Sequence, residues 1–299
     1  MSSFRRRFVE PADTAEVVRI VRALDERYLG RTEYTATELD EKWRTHGLGR
    51  NGWLVLDGDT PVAFGTLDER PDPPRSDGYV DPAHFGRGAG GFLVDELEAE
   101  ARVRGATCLH TAVLAADEPA QRLLEGRGYR EIRRFLVMRM TLAAEPPEPR
   151  WPDGVTVNGF EREDGPAFHA AYENSFADHW SHNRREFDEW RADHLDRPDA
   201  ATDLWAVVRA GDEIVAGTTL IREREGAAWV SRLFTVREWR RRGIGEALLH
   251  DAFGKFWREG RREVALGVDA ASTTGAHRLY ERIGMHVDWA SVVYEKELA

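Results

Sequence analysis

Two stretches of this 299-residue chain read as the same strand, tight turn and strand. One runs from Trp53 to Gly65 with Asp57-Gly58-Asp59 at its turn, the other from Trp205 to Gly217 with Ala210-Gly211-Asp212. Their tryptophans and closing glycines each lie 152 positions apart (205 − 53 and 217 − 65). Gly88-Ala89-Gly90 then answers Gly243-Ile244-Gly245 at an offset of 155 (243 − 88), and Leu123-Leu124-Glu125 answers Leu279-Tyr280-Glu281 at 156 (280 − 124). A nearly constant offset over four landmarks describes one supersecondary unit written twice, so any fold for this chain has to serve both copies.

Within each copy the patterning predicts a strand, one or two helices, the hairpin, a strand, a glycine turn and a helix. A further strand, helix and final strand complete it. Apolar residues at helical spacing, such as Leu248, Leu249, Ala252, Phe253 and Phe256, predict helices over Gly91 to Arg104 and Glu246 to Glu259. Val264 to Val268 reads as a buried strand. The expected class is α/β: two tandem mixed-sheet domains with flanking helices. Between them Ala144 to Gly154 is rich in proline and unsuited to helix or ladder. The expected boundaries are therefore 1–143, a linker at 144–154, and 155–299.

Composition narrows the function classes. With 42 Lys and Arg against 53 Asp and Glu the net charge is −11, which argues against general nucleic-acid binding. A negative field favours cationic acceptors such as amines and opposes a polyanionic ligand unless its site is locally basic. No apolar run approaches the roughly 20 residues needed to cross a bilayer. The basic start Met1 to Arg7 is followed by no secretory core, so a cytoplasmic protein without a membrane partner is expected; either a monomer or a homodimer suits the chain. Cys108 is the single cysteine, which excludes an internal disulfide and a multi-cysteine zinc site; it is expected to be a small packed side chain in a strand.

Local basicity is concentrated at Arg240-Arg241-Arg242-Gly243-Ile244-Gly245, which runs into Glu246-Ala247-Leu248-Leu249, the opening of a helix. Unpaired N–H groups at a helix N-terminus bind phosphate, and glycine lets that backbone approach closely. Downstream, Tyr280 sits on an amphipathic helix that stops at Gly284. A diphosphate cradle followed by a proton donor describes an enzyme acting on a nucleotide-linked thioester.

These residues resemble the GNAT superfamily of N-acetyltransferases. Its signature of Arg or Gln, two residues, Gly, one residue, then Gly or Ala is met by Arg240 to Gly245. Its later Leu-Tyr-Glu-x-x-Gly-aromatic run is met by Leu279 to Gly284, with Met285 in place of the aromatic. The resemblance covers essentially the whole chain, as two copies. It implies acetyl-CoA as co-substrate, with Leu233, Phe234 and Val236 pairing with the pantetheine arm at a splayed strand. The diphosphate would lie on the amides of Arg241 through Glu246, including Gly243, Ile244 and Gly245, with the side chains of Arg240, Arg241 and Arg242 adding charge. A backbone N–H near Val236 would polarise the acetyl carbonyl. Tyr280 would protonate the departing sulfur, with no metal and no covalent enzyme intermediate.

The first copy argues against its own turnover: Phe85 stands at the Arg or Gln position, and Leu124, which cannot donate a proton, at the tyrosine position. Its glycines and Arg87 leave cofactor binding open, and a bracing role is expected for it. In the second copy Asn174 to His182 falls where the family forms its acceptor wall. There Asp178 or Glu189 is expected to hold a cationic small-molecule amine, and His179 or His182 to assist its deprotonation. Two histidines three apart lack a third ligand at metal spacing, so no metal is expected. Asp269 and Ser272, ahead of the tyrosine helix, suit a cap or turn as well as a cofactor contact. The rival in the binding class is a non-catalytic acyl-CoA sensor or scaffold. A phosphoryl-transferring enzyme would need the Lys-Ser/Thr pair of a phosphate loop, which Arg242 to Glu246 does not supply.

Overall fold

The computed structural model describes residues 4–31, 39, 47–177, 179–180, 182–197, 199–272 and 275–298. They form two compact α/β units. Unit 1 comprises Met1–Leu136 with Trp289–Ala299, and unit 2 is Val137–Asp288.

In unit 1 the chain runs β1 (Phe4–Phe8), α1 (Thr14–Leu29), β2 (Gly52–Asp57), β3 (Thr60–Asp68), β4 (Arg75–Val80), α2 (Ala89–Val103), β5 (Cys108–Leu114) and α3 (Glu118–Glu125). Next come β6 (Arg130–Thr141), then β7 (Thr156–Gly159), α4 (Gly165–Phe176), β8 (Ala206–Ala210), β9 (Glu213–Arg224) and β10 (Ala227–Thr235). Unit 2 continues with α5 (Ile244–Arg258), β11 (Glu263–Asp269) and α6 (Ala276–Arg282), and the chain closes with β12 (His286–Glu297). Residues 142–155 hold neither helix nor strand.

The strand order is β1-β2-β3-β4-β5-β12 in unit 1 and β7-β8-β9-β10-β11-β6 in unit 2. Each sheet is mixed, because β4 pairs β5 and β10 pairs β11 in parallel while the hairpin strands are antiparallel. The linear division of the chain assigns each copy its own last strand. The compact units instead take in the other copy's: β12 lies against β5, from Ser291↔Leu114 to Glu297↔Cys108, and unit 2 takes in the end of β6 from Val137. A strand edge is filled by any antiparallel segment of the right pattern, so sequence adjacency does not decide which one arrives.

The alternation of strand residues sets the layers. Trp53, Val55 and Ala63 face Leu93, Leu97 and Ala101 of α2, while Leu54 and Phe64 face Val17, Ile20 and Val21 of α1. Both units open with the same device, a reciprocated capping box, Glu10 with Asp13 and Glu161 with Asp164, 151 positions apart. The two helices that follow the glycine turns begin two residues earlier than the periodicity predicts, at Ala89 and Ile244. Gly88 and Gly243 adopt left-handed φ of 97° and 87° as N-caps, so the helix starts directly after them. No helix among the described residues is long and apolar enough to cross a membrane.

The closing glycine of each hairpin marks a close approach. A Cβ on Gly217 would meet Phe168 Cε2 at 2.5 Å and the Ala206 carbonyl oxygen at 2.9 Å, and one on Gly65 would meet Leu93 Cδ1 at 2.7 Å. Gly217→Ala is expected to destabilise unit 2 by about 1–3 kcal/mol through overpacking. Gly159→Ala, with nothing within 4 Å of the added carbon, serves as the near-neutral control in urea titrations.

Candidate acyl-transfer site

The site in unit 2 begins where two parallel strands part. β10 and β11 pair only from Ala228↔Val264 to Val230↔Leu266, although β10 continues to Thr235 and β11 to Asp269. On its other side β10 stays in register with β9 from Arg232↔Thr219 to Thr235↔Ala216, after a shift between Val230 and Arg232. The Val236 N–H donates to the Val215 carbonyl at 2.9 Å. Backbone groups alternate sides along an antiparallel strand, so Phe234 also faces β9, and the amides facing the gap are those of Leu233 and Thr235. Val236 is therefore not a free oxyanion donor, and of the three residues named from the sequence only Leu233 presents its backbone to the gap.

Beyond the strand, Val236 to Arg240 make a short 3₁₀ turn, and Arg241 and Gly243 take φ of 62° and 87°. The first intrahelical bond of α5 runs from Ala247 N–H to the Gly243 carbonyl at 3.0 Å, which leaves the N–H groups of Ile244, Gly245 and Glu246 without helical partners. A Cβ on Gly243 would meet open space, so its left-handed φ, not crowding, calls for glycine there. At Gly245 an added Cβ would find only ordinary contact with Leu279 at 3.4 Å, consistent with alanine serving equally. A cradle of free amides at a positive helix end, next to a gap holding unpaired strand amides, fits an extended thioester arm that ends in a diphosphate.

The three arginines divide their work. Arg240 donates from Nε to the Thr235 carbonyl at 3.1 Å and from Nη2 to the Ser175 carbonyl at 2.8 Å, fastening the turn to β10 and to α4. Two of its three guanidinium nitrogens are thereby engaged in holding the turn. Arg242 lies over the Trp239 ring, 4.5 Å from its centroid, and with Arg241 is exposed. These two supply the charge at the cradle. The Glu246 carboxylate is exposed in the first turn of α5, where it suits the helix dipole, so only its N–H faces an anion favourably.

Tyr280 is buried on α6, and its hydroxyl makes no hydrogen bond among the described residues. Burial alone pushes the phenol up to about 12, so it stays protonated at neutral pH. An unshared O–H held in its donor form is what protonation of a leaving sulfur requires. Asp269 takes the turn role, accepting the Ala271 N–H at 2.9 Å.

The acceptor wall differs from expectation. Asp178 lies outside the described residues. Glu189 is exposed on the one-turn helix Phe187–Trp190 and makes no ion pair among the described residues. The buried carboxylate here is Glu173 on α4, a residue outside the motifs legible in the sequence. Its Oε2 lies 2.8 Å from His182 Nε2 and its Oε1 lies 3.6 Å from His169 Nε2. His179 lies tilted against Phe176 with centroids 4.6 Å apart, and its carbonyl accepts the His182 N–H at 3.2 Å. His194 lies against Trp190, and burial, with Arg232 nearby, lowers it to about 4, so it is neutral at physiological pH. A helical stripe counting only apolar residues passes over Glu173; its spacing from His169, one turn earlier, was the available signal.

Unit 1 repeats the frame without the phenol at that position. β4 and β5 pair only from Arg75↔His110 to Asp77↔Ala112 before parting, and Gly88 caps α2. Next to the gap lies a cavity of about 360 Å³ lined mainly by apolar side chains and the glycine turn. Leu124 occupies the tyrosine position, buried in that lining, and Phe85 takes a guanidinium from Arg27 5.4 Å from its ring centroid. The cavity's phenol is Tyr129, which burial and the neighbouring Glu98 carboxylate push well above the ordinary tyrosine value. Leu124→Ala is expected to cost about 2–5 kcal/mol, read from chemical denaturation. Cys108 is half-buried, and burial with Glu295 beside it pushes its thiol up to about 11, which leaves it un-ionised and unreactive at neutral pH.

The model of the acetyltransferase (GNAT) family matches residues 17–129 and 165–285. The chain is 31% identical over 252 residues to a mycothiol acetyltransferase of Streptomyces avermitilis, spanning 82% of this chain and 79% of that protein. It is 30% identical over 254 residues to a mycothiol acetyltransferase of Thermobispora bispora, spanning 81% and 82%. A GCN5-related N-acetyltransferase from Sphaerobacter thermophilus matches with a TM-score of 0.87 at 32% identity over 99% of this chain and 96% of that one. A tandem GNAT protein of the clavulanic acid biosynthesis pathway shares the fold, with a TM-score of 0.71 at 16% identity over 99% of both chains.

Proposed function

The chain belongs to the GNAT acetyltransferase family, and on that premise we propose that it moves an acetyl group from acetyl-CoA directly to the amine of a small-molecule acceptor, with the chemistry in unit 2. One observation carries the choice of unit: at the same place in two copies of one frame, unit 2 holds a buried phenol, Tyr280, and unit 1 a buried leucine, Leu124. Acetyl-CoA supplies an activated carbonyl and a thiolate leaving group. Within unit 2 the amides of Leu233 and Thr235 orient the arm, and those of Ile244 to Glu246 hold the diphosphate beside Arg241 and Arg242. Tyr280 keeps a proton at its Oη for the sulfur. Unit 1 has no proton donor in that position and is assigned no turnover.

The acceptor class follows from charge and relatives together. The net charge of −11 draws cationic amines, and relatives near 30% identity bear the name mycothiol acetyltransferase, so a mycothiol-related amine is the first acceptor to try. The test is thiol release from acetyl-CoA across a panel of amines and amino sugars, with the products weighed by mass spectrometry and coenzyme A binding followed by calorimetry. Release of thiol together with an N-acetylated product supports the reading. Binding heat without thiol release across the panel would favour the alternative, a non-catalytic acyl-CoA sensor or scaffold. No heat of binding to coenzyme A would sink both.

A further inference from the structure

We propose that His182, held by the buried carboxylate of Glu173, takes the proton from the acceptor's ammonium group before it attacks; this rests on the acetyltransferase reading and specifies the acceptor as a primary amine that arrives charged.

Glu173 is buried at 5% exposure on α4, where a carboxylate is retained only with partners. Its two partners differ. His169 Nε2 lies 3.0 Å from the Arg185 carbonyl, to which it donates, and is farther, 3.6 Å, from Glu173. His182 Nε2 lies 2.8 Å from Glu173 Oε2, and because a carboxylate only accepts, this nitrogen carries the hydrogen. The lone pair of the neutral ring is then on Nδ1, which makes no hydrogen bond among the described residues. One ring nitrogen is fixed by a carboxylate and the other is left as a proton acceptor, the arrangement that prepares an imidazole for general-base work.

The helix carrying Glu173 is fastened to the cofactor strand at points on either side of it. The Tyr172 hydroxyl accepts from Arg232 Nε at 3.3 Å, and the Ser175 carbonyl accepts from Arg240 at 2.8 Å. The rings run from Phe234 on β10 to Tyr172, with centroids 6.0 Å apart, and from Tyr172 to His182, 6.3 Å apart. The other ionisable groups around this ring are accounted for. His194 is neutral at working pH, Arg185 is paired with Asp193, and Arg232 is turned to the Tyr172 hydroxyl. His179 lies tilted against the Phe176 ring.

Unit 1 provides the contrast. The capping boxes set an offset of 151 at this part of the repeat, and α1 and α4 then bury matching residues, Val17, Ile20 and Val21 against Phe168, Ala171 and Tyr172. At that offset His169 and Glu173 become Val18 and Arg22. A carboxylate–imidazole pair needed only to lock the fold would serve both copies. It occurs in the copy that has the phenol.

The proton balance closes. An N–H proton of the ammonium goes to His182 Nδ1, and the freed lone pair forms the C–N bond to the thioester carbonyl carbon. The C–S bond breaks with its electron pair on sulfur, which takes the Tyr280 proton. The second amine proton restores Tyr280, and the imidazolium returns its proton to water.

Two variants test this, His182→Gln and Glu173→Gln, each checked by thermal melting against the parent. In the parent, kcat/KM for the most active amine of the panel falls on the acid side. His182→Gln is expected to lower kcat/KM by about 10²-fold or more and to abolish that limb, leaving the KM for acetyl-CoA unchanged. In Glu173→Gln kcat/KM is expected to fall about 10-fold with the KM for acetyl-CoA unchanged, and the tautomer-sensitive ring nitrogen shifts of His182, followed by NMR in the resting protein, change, a readout independent of turnover. Added imidazole restores part of the rate to His182→Ala. An active parent whose variants keep its rate and pH profile overturns the proposal, as do His182 ring nitrogen shifts indifferent to Glu173→Gln. A parent that releases no thiol with any amine sinks the acetyltransferase reading itself, and this role with it.

Discussion

Tyr280→Phe is expected to lower kcat by about 10²-fold while the KM for acetyl-CoA and the affinity for coenzyme A stay near the parent values. Only a hydroxyl is removed, and that hydroxyl has no hydrogen-bond partner among the described residues whose loss would disturb the fold. Neutral stability should therefore change little. Alkaline stability should change in a defined direction. Burial raises the folded-state phenol to about 12, above the ordinary tyrosine value near 10, so between those values the folded chain holds a proton that the unfolded chain has released. Stability is fully present below the unfolded value and is lost as pH climbs toward about 12. The phenylalanine variant lacks that share of the decline. Urea titrations of both proteins across this window, beside steady-state kinetics at neutral pH, read the two effects separately. A variant that turns over at the parent rate removes Tyr280 from the chemistry.

The arginines of the glycine turn should separate just as clearly. Arg240→Ala removes a guanidinium that bonds the carbonyls of Thr235 and Ser175, and leaves both partly buried acceptors to find new partners. A cost of about 2–3 kcal/mol in stability is expected, with coenzyme A affinity falling as a consequence of the loosened turn. Arg241→Ala and Arg242→Ala affect exposed side chains, so stability should stay within about 0.5 kcal/mol of the parent. Their coenzyme A binding should weaken several-fold, most visibly at low salt, because screening already diminishes an exposed charge at high ionic strength. Equal loss of stability in all three variants, measured by chemical denaturation, would contradict the division of roles.

Much of the frame was legible because it rests on local patterns. The hairpins at Trp53 and Trp205, the glycine turns, and the strands leading to them follow from alternation and from residues that alone tolerate a left-handed φ. Leu124 and Tyr280 were readable as a matched pair because the repeat keeps its spacing. The finer site was not legible. The resemblance places Leu233, Phe234 and Val236 alike on the cofactor arm, but which amides face the gap depends on a register shift in β10 that no composition rule reports. Glu189 and Asp178 drew notice as charges near the acceptor wall. Glu173 did not, because on a helix wheel it sits among residues that bury, and only the folded chain brings His182 back to it across nine positions.

The amino-acid order by itself determined that there are two copies of one α/β frame, that each has a glycine-capped helix after its glycine turn, and that one copy alone carries a phenol at the matched position. These are consequences of periodicity, steric allowance and side-chain chemistry within short windows. Only the tertiary structure decided which amides are unpaired, that Arg240 ties β10 to α4, that unit 1 takes in most of β12 and unit 2 the end of β6, and that Glu173 and His182 form a pair. Those features arise from contacts between residues far apart in the chain. Their energies are set by which sheet edges and buried polar groups remain to be satisfied once the whole chain has folded.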